Sequence, residues 1–211
     1  MMRLILVRHG ETEWNGERRL QGQQDIGLSE AGRRQVAALA ETVRYLDPGY
    51  VVTSALCRTR ETAEVLGVSP HACDPRLNEA YLAGWEGRYS AQIKEEDGGV
   101  YAAWRAGRFH PPGAESFGEL TDRVVEGIGA AARRAHADGQ GTLLAVTHGG
   151  PVRAFLLAAV GLDPARTVPS HPASLSILDV DPGAASLTEP GAARLRLFNY
   201  SPAMSPLDPP D

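Results

Sequence analysis

Hydrophobic positions follow two rhythms along the chain. Short unbroken runs, such as Leu4 to Val7, Tyr50 to Thr53 and Thr142 to Val146, alternate with longer stretches in which apolar residues recur every three or four positions. Short runs closed by turn signals fit buried strands, and the longer spacing fits helices packed on one face. The first run ends in Arg8-His9-Gly10, and the polar segment from Gly16 to Gly27 reads as a loop. Ser29 can cap a helix carrying Val36, Leu39, Ala40, Val43 and Leu46, which Asp47-Pro48-Gly49 stops. After the strand Tyr50 to Thr53, a second helix holds Arg58 and Arg60 in its first turns and stops at Gly67. Val68 to Asp74 holds a short strand.

From Leu82 to Glu115 the pattern changes to glycines and aromatics: Gly84, Trp85, Gly87, Tyr101, Trp104, Phe109 and the Pro111-Pro112-Gly113 break. Short helices and loops are expected there, forming a small cap. Ser116 to Ala137 is a long helix with Leu120, Val124, Ile128 and Ala131 on one face. The strand from Thr142 to Val146 ends in Thr147-His148-Gly149-Gly150, and Pro151 suits the first position of the next helix, which runs to Val160. Ala173 to Val180 and Ala193 to Tyr200 read as two strands of a hairpin, with Asp181-Pro182-Gly183 turning the chain after the first. The alternation predicts an α/β fold, a three-layer sandwich with a mostly parallel central sheet and helices on both faces. It also predicts a single domain over 1–200, a cap insertion at about 82–115, and a proline-rich disordered tail over 201–211.

A chain of 211 residues with a charged share of 22% suits one soluble domain with a sizeable core. The net charge of -5 argues against a nucleic-acid partner, which would meet a basic face. No run is long enough for a signal peptide or a spanning helix near the amino terminus, so no membrane partner is expected. Cys57 and Cys73 form no CxxC pair; a disulfide between them is the alternative, and two reduced thiols of a cytoplasmic protein are the simpler reading. Cys57 stands beside Arg58, which would lower its pKa; a packed, unreactive thiol is the plainer reading.

Three predicted strands end in chemistry: Arg8-His9, then Arg58 just past Ser54, then His148. Parallel strands share a carboxyl edge, where ligands bind in open α/β sheets, so these groups can converge. Arg8 offers a planar fork for phosphate, His9 a nucleophilic nitrogen, and Gly10 a tight turn beside a ligand. Neighbouring cations would depress the histidine pKa values and keep His9 neutral near pH 7.

The set Leu6-Val7-Arg8-His9-Gly10-Glu11-Thr12, Gln21-Gly22 with Asp25, Arg58-Thr59 with Thr62-Ala63, Leu77-Asn78-Glu79 with Gly84, Glu86 and Gly87, and Thr147-His148-Gly149 closely resembles the histidine phosphatase superfamily, the phosphoglycerate-mutase-like proteins of branch 1. The resemblance implies a phosphohistidine mechanism. His9 would carry the phosphoryl group, Arg8, Arg58 and His148 would hold its oxygens, and Asn15 would add a hydrogen bond. Gln21, Gly22 and Gly149 would complete the substrate site. Glu79 would protonate the leaving alkoxide and then activate water, and so must hold a proton near neutrality. The cations would take the role of a metal, so no metal or cofactor is expected. Partners would be a small-molecule phosphate ester and inorganic phosphate as product; a homodimer is left open.

Several departures favour a phosphatase over a mutase. The mutases carry arginine where this chain has Ala80, they pair arginines in the cap, and they have Thr-Gly for Gln21-Gly22 and often asparagine for Gly150. Phosphoglycerate-mutase-type transfer is the alternative. A non-catalytic phospholigand-binding module is disfavoured by the intact His9, Arg8, Arg58 and His148. A serine esterase is disfavoured because Gly113 to Gly118 does not fit the G-x-S-x-G elbow. Glu86 is a second carboxylate near Glu79. His71, His110, His136 and His171 read as surface or loop residues. Arg60 reads as exposed, and Tyr81, Trp85, Tyr101 and Trp104 as either substrate mouth or cap core.

Overall fold

The computed structural model describes residues 1–203. Six strands form one sheet: β1 (Met2–Arg8), β2 (Tyr50–Thr53), β3 (Ala72–Cys73), β4 (Thr142–Thr147), β5 (Leu175–Val180) and β6 (Ala193–Tyr200). Their order is β3-β2-β4-β1-β5-β6. β3, β2, β4 and β1 run parallel, β5 runs antiparallel to β1 and β6 antiparallel to β5, so the sheet is mixed with a parallel run of four strands. The helices are α1 (Glu13–Gly16), α2 (Glu30–Leu46), α3 (Cys57–Leu66), α4 (Ser90–Arg105), α5 (Phe117–Ala137) and α6 (Gly149–Val160).

The sandwich follows from the side-chain alternation of β1. Leu4 and Leu6 enter one buried cluster with Leu120, Val124 and Ile128 of α5 and Phe155 of α6. Ile5 and Val7 enter the opposite cluster with Val36, Leu39 and Val43 of α2 and Ala63 and Leu66 of α3. Successive strand residues face opposite sides, so a wholly apolar run needs helices on both faces. In register, Arg8 pairs with Thr147 and Thr53 with Val146. The chain therefore leaves the carboxyl ends of β1, β2 and β4 side by side, at His9, Ser54 and His148.

Local signals set most boundaries. The Ser29 side chain accepts from Gly32 N–H at the start of α2, and Ser116 forms a capping box with Glu119 at the start of α5. Asp47 and Gly67 close their helices in the left-handed conformation. The short strand expected between Val68 and Asp74 is β3, two residues long, and three other details differ from expectation. β5 starts at Leu175 because Ala173 sits at φ 52. α6 begins at Gly149, with Pro151 third rather than first; the N–H that proline lacks has no intrahelical partner at that position either. The cap segment holds short helices: a 3-10 turn at Ala83–Trp85 and α4, whose two halves meet at non-helical backbone at Asp97 (φ -159, ψ 94). Gly10 meets α2 rather than a ligand: an added Cβ would lie 2.6 Å from Val36 and 2.7 Å from the Gly32 carbonyl. The tail expected from Ser201 lies, beyond Ala203, outside the described residues. Among the described residues no helix is long and apolar enough to cross a membrane.

Gly32 of α2 lies against the loop that follows His9, where an added Cβ would fall 2.0 Å from the backbone oxygen of Glu11. Backbone cannot yield there cheaply. Gly32→Ala is expected to cost about 1–3 kcal/mol, the usual cost of overpacking, read as a lowered midpoint in urea unfolding.

Candidate active site

One cavity of about 150 Å³ opens at the carboxyl edge of the parallel strands. Arg8, His9, Asn15, Gln21, Gly22, Glu79 and Gly149 all line it, as do Arg105, Arg153, Trp104 and Phe117. Arg58 and His148 stand behind His9, both wholly buried. The rings of His9 and His148 lie 5.0 Å apart in an edge-on arrangement.

Hydrogen bonds assign the histidine tautomers. His9 Nδ1 lies 2.7 Å from the Gly10 carbonyl, which can only accept, so Nδ1 carries the proton and Nε2 keeps its lone pair. Arg58 Nε donates to His148 Nδ1 at 3.1 Å, so the His148 proton is on Nε2, which donates to Ser54 Oγ at 2.7 Å. The other Arg58 nitrogens donate to the Gly22 and Gln24 carbonyls, at 2.9 Å and 2.8 Å. Arg58 thus orients His148 and anchors the loop that carries Gln21. Both histidines are held well below their usual pKa, first by burial and then by Arg58; Arg8 adds to the effect on each, and His9 on His148. Burial also brings Arg8 down to about 10.

Donors point at the cavity without protein partners. Arg8 Nη1 donates to the Ser170 carbonyl, whereas its buried Nε has no partner, and neither has the amide nitrogen of Gln21. Asn15 Oδ1 accepts from Thr12 N–H in the capping box of α1, which leaves its amide nitrogen as the free end. The first turn of α6 adds an electropositive helix end at Gly149. Four donor sources thus converge on one hollow of the size an oxyanion needs.

Glu79 faces them. Its Oε2 accepts from Gly150 N–H at 3.2 Å and its Oε1 from Ala80 N–H at 2.8 Å. Glu86 is occupied elsewhere: it accepts from Gln23 N–H at 2.8 Å, Leu82 N–H at 3.2 Å and the Gln24 side chain at 2.8 Å. Arg123 sets the position of Glu79 from outside the cavity. It donates to the carbonyls of Arg76, Asn78 and Glu79, at 2.7, 2.8 and 3.0 Å, while pairing with Glu115. Glu115 N–H in turn donates to the Tyr81 carbonyl.

Residues 4–192 match the model of the Histidine phosphatase superfamily (branch 1). The chain belongs to that superfamily. A glucosyl-3-phosphoglycerate phosphatase of Mycolicibacterium vanbaalenii is 36% identical over 168 residues, covering 76% of this chain and 75% of that protein. The solved structure of mycobacterial glucosyl-3-phosphoglycerate phosphatase in complex with VO3 superposes with a TM-score of 0.80 at 30% identity, covering 94% of this chain and 99% of that one. A probable phosphoglycerate mutase, GpmB, of Salmonella paratyphi C is 39% identical over 138 residues, but the match spans only 60% of its length and 59% of this chain. This histidine phosphatase is accordingly a phosphoric monoester hydrolase.

Several residues of the phosphatase escaped the sequence reading. Arg123 and Glu115 carry no local signal, because Arg123 contacts carbonyls 44 to 47 positions away. Arg153 had a faint one: it follows Gly149 by four positions and so shares its face of α6. Trp104 lines the cavity, whereas Trp85 and Tyr101 pack on Trp104, at 5.7 Å and 5.5 Å between centroids, and Tyr81 is exposed. His71, His110 and His136 are exposed, Arg60 likewise, but His171 is buried. Cys57 and Cys73 are free. The Cys57 thiol is not activated by Arg58; burial, and then its contact with Asp25, push it up to about 11.

Three outcomes follow. Long-range ¹⁵N–¹H spectra of the ligand-free enzyme should show His9 as the neutral Nδ1–H tautomer well below pH 6.5, where a free imidazole is half protonated. Because both folded-state histidine pKa values are depressed, acid favours proton uptake by the unfolded chain. Their contribution is fully present above about pH 6.5 and is lost as pH falls below it, read as a declining melting temperature. Arg123→Ala, remote from substrate, should lower kcat by about tenfold or more through misplacement of Glu79, with a smaller change in KM.

Proposed function

We propose that this phosphatase hydrolyses a small phosphate monoester by two in-line displacements on His9. The reading rests on one observation: the Gly10 carbonyl fixes the His9 proton on Nδ1, leaving the Nε2 lone pair beside Arg8 in a cavity that Glu79 also lines. In the first step Nε2 bonds to phosphorus and the ester P–O bond breaks. The departing alkoxide takes the proton from the Glu79 carboxyl group. In the second, the Glu79 carboxylate takes a proton from water, the water oxygen bonds to phosphorus, and the N–P bond breaks to return free His9 and inorganic phosphate.

Charge does most of the work. The Arg8 Nε, the Gln21 and Asn15 amides and the N-terminus of α6 supply donors where the phosphoryl oxygens gather negative charge. Arg58 contributes a fixed positive charge from beneath, and His148 holds the floor of the site. An alkoxide leaves poorly, and a placed acid contributes typically ~10²–10⁴-fold. These cations stand in for a metal, so turnover should be unaffected by a chelator. Two free thiols fit a reducing compartment such as the cytoplasm. The resemblance to glucosyl-3-phosphoglycerate phosphatases favours a phosphorylated glycerate derivative as substrate. The partial match to GpmB keeps mutase-type transfer as the second reading; dependence of activity on a bisphosphorylated primer would favour it.

A panel of phosphate esters, run in chelator on wild type, His9→Ala and Glu79→Gln, tests the scheme. His9→Ala should lose turnover of every ester, and full retention would refute the mechanism. Glu79→Gln should lose about 10²-fold or more with alkyl esters but little with an activated aryl phosphate. An equal loss with both would remove Glu79 as the acid. Vanadate should inhibit competitively.

A further inference from the structure

The aim of Arg8 depends on one protein contact. Its Nη1 donates to the Ser170 carbonyl, its Nε has no partner, and the guanidinium takes no other hydrogen bond among the described residues. The place of one backbone oxygen therefore decides where the free Nε points. Ser170 belongs to the connection between α6 and β5, outside any helix or strand. Such segments are more mobile than the elements they join, so an orienting contact there needs an anchor.

The anchor comes from the edge strand of the sheet. The Asn199 side chain of β6 brackets Ser170. Its Oδ1 accepts from His171 N–H at 2.7 Å, and its Nδ2 donates to the Pro169 carbonyl at 3.3 Å. One amide thus ties down the residue before Ser170 and the residue after it. The far end of the connection is held separately: Ser174 Oγ donates to the His171 carbonyl at 2.7 Å, and Ala173 N–H to the His9 carbonyl at 3.0 Å.

Asn199 is itself set in an unusual backbone. It sits at φ 59, in the left-handed region that favours glycine. Leu175 pairs with Tyr200 and Ile177 with Leu197, so Ser176 alone stands opposite Phe198 and Asn199. One extra residue on one strand is a β-bulge, a feature common beside active sites that re-aims a side chain. Asn199 N–H donates to Ser176 Oγ at 3.1 Å, so the irregularity leaves that donor satisfied. Backbone strain of this kind persists where the surroundings hold it, and it gathers at functional sites.

We propose that Asn199 is a positioning residue for Arg8, acting through residues 169–171 to keep the free Nε directed at the phosphoryl oxygens. The proposal rests on the role given to Arg8 in the mechanism above. Asn199 does not line the cavity, so its effect on the chemistry passes through Ser170. Removing the amide leaves the guanidinium charge in place and takes away its aim. Attraction for the bound ester then changes little, whereas stabilisation of the charge gathering in the transition state falls.

Asn199→Gly separates side chain from backbone, because glycine adopts the left-handed conformation freely. With p-nitrophenyl phosphate it should lower kcat about 10- to 100-fold while KM changes by less than about threefold, with kcat referred to the folded fraction read from circular dichroism. The isosteric Asn199→Asp keeps an acceptor for His171 N–H but sets an oxygen against the Pro169 carbonyl, and should show the same split. In an Arg8→Met background, which lacks the guanidinium, neither change should cost more than about twofold further. Wild-type kcat in Asn199→Gly, or an equal loss with and without Arg8, would overturn the proposal. So would a loss carried by KM alone, the mark of a loosened cavity. Failure of the parent reading appears separately, as full turnover in Arg8→Met with Asn199 intact.

Discussion

The structure depends on gathering buried positive charge around two imidazoles without neutralising it from within. Arg8 and Arg58 are desolvated and without carboxylate partners, and they help to hold His9 and His148 unprotonated. In most interiors such an arrangement would be a defect, because a buried guanidinium without a counter-ion costs several kcal/mol. Here the cost is borne by a sheet packed on both faces. The strand ends that carry the site are locked in register by Arg8 opposite Thr147 and Thr53 opposite Val146. Strain tolerated at a functional edge and offset by a regular core is the expected division of labour.

That constraint also explains the neighbouring polar contacts. Arg58 spends its donors on His148 and on two carbonyls of the loop carrying Gln21 and Gly22, so the histidine tautomer and that cavity-lining loop are set by one side chain. On the opposite wall Arg123, itself paired with Glu115, ties down the backbone that presents Glu79. Gly150 is what allows Glu79 so close to α6, since an added Cβ would lie 2.1 Å from its Oε1. His148 and the backbone at Glu79 are therefore held from different elements, each by an arginine that also binds backbone oxygens.

The parts legible in the sequence share a physical reason. Arg8, His9 and His148 follow apolar runs directly, and a buried strand has only one place to put such residues: past its carboxyl end. The core was legible for the same reason, because Leu4 to Val7 is apolar at every position and must be covered on both faces. The distinction between Glu79 and Glu86 was not legible. It turns on which carboxylate is claimed by the N–H groups of Gln23 and Leu82, contacts spanning 63 and 4 positions. The break in the cap was legible too: Gly98-Gly99 interrupts the apolar rhythm, and the helix is broken next to them, at Asp97. Arg123 and Arg153 look like ordinary helix charges until the packing shows them turned inward.

On the proposed mechanism, His9 Nε2 is bonded to phosphorus part-way through each turnover. The most direct measurement is acid-free rapid quenching during steady-state hydrolysis of a ³²P-labelled ester, followed by peptide mapping. Label is expected on the peptide containing His9, stable in base and released by acid, and absent from His9→Ala. Label on another residue, or full turnover with no phosphoenzyme at any quench time, would contradict it.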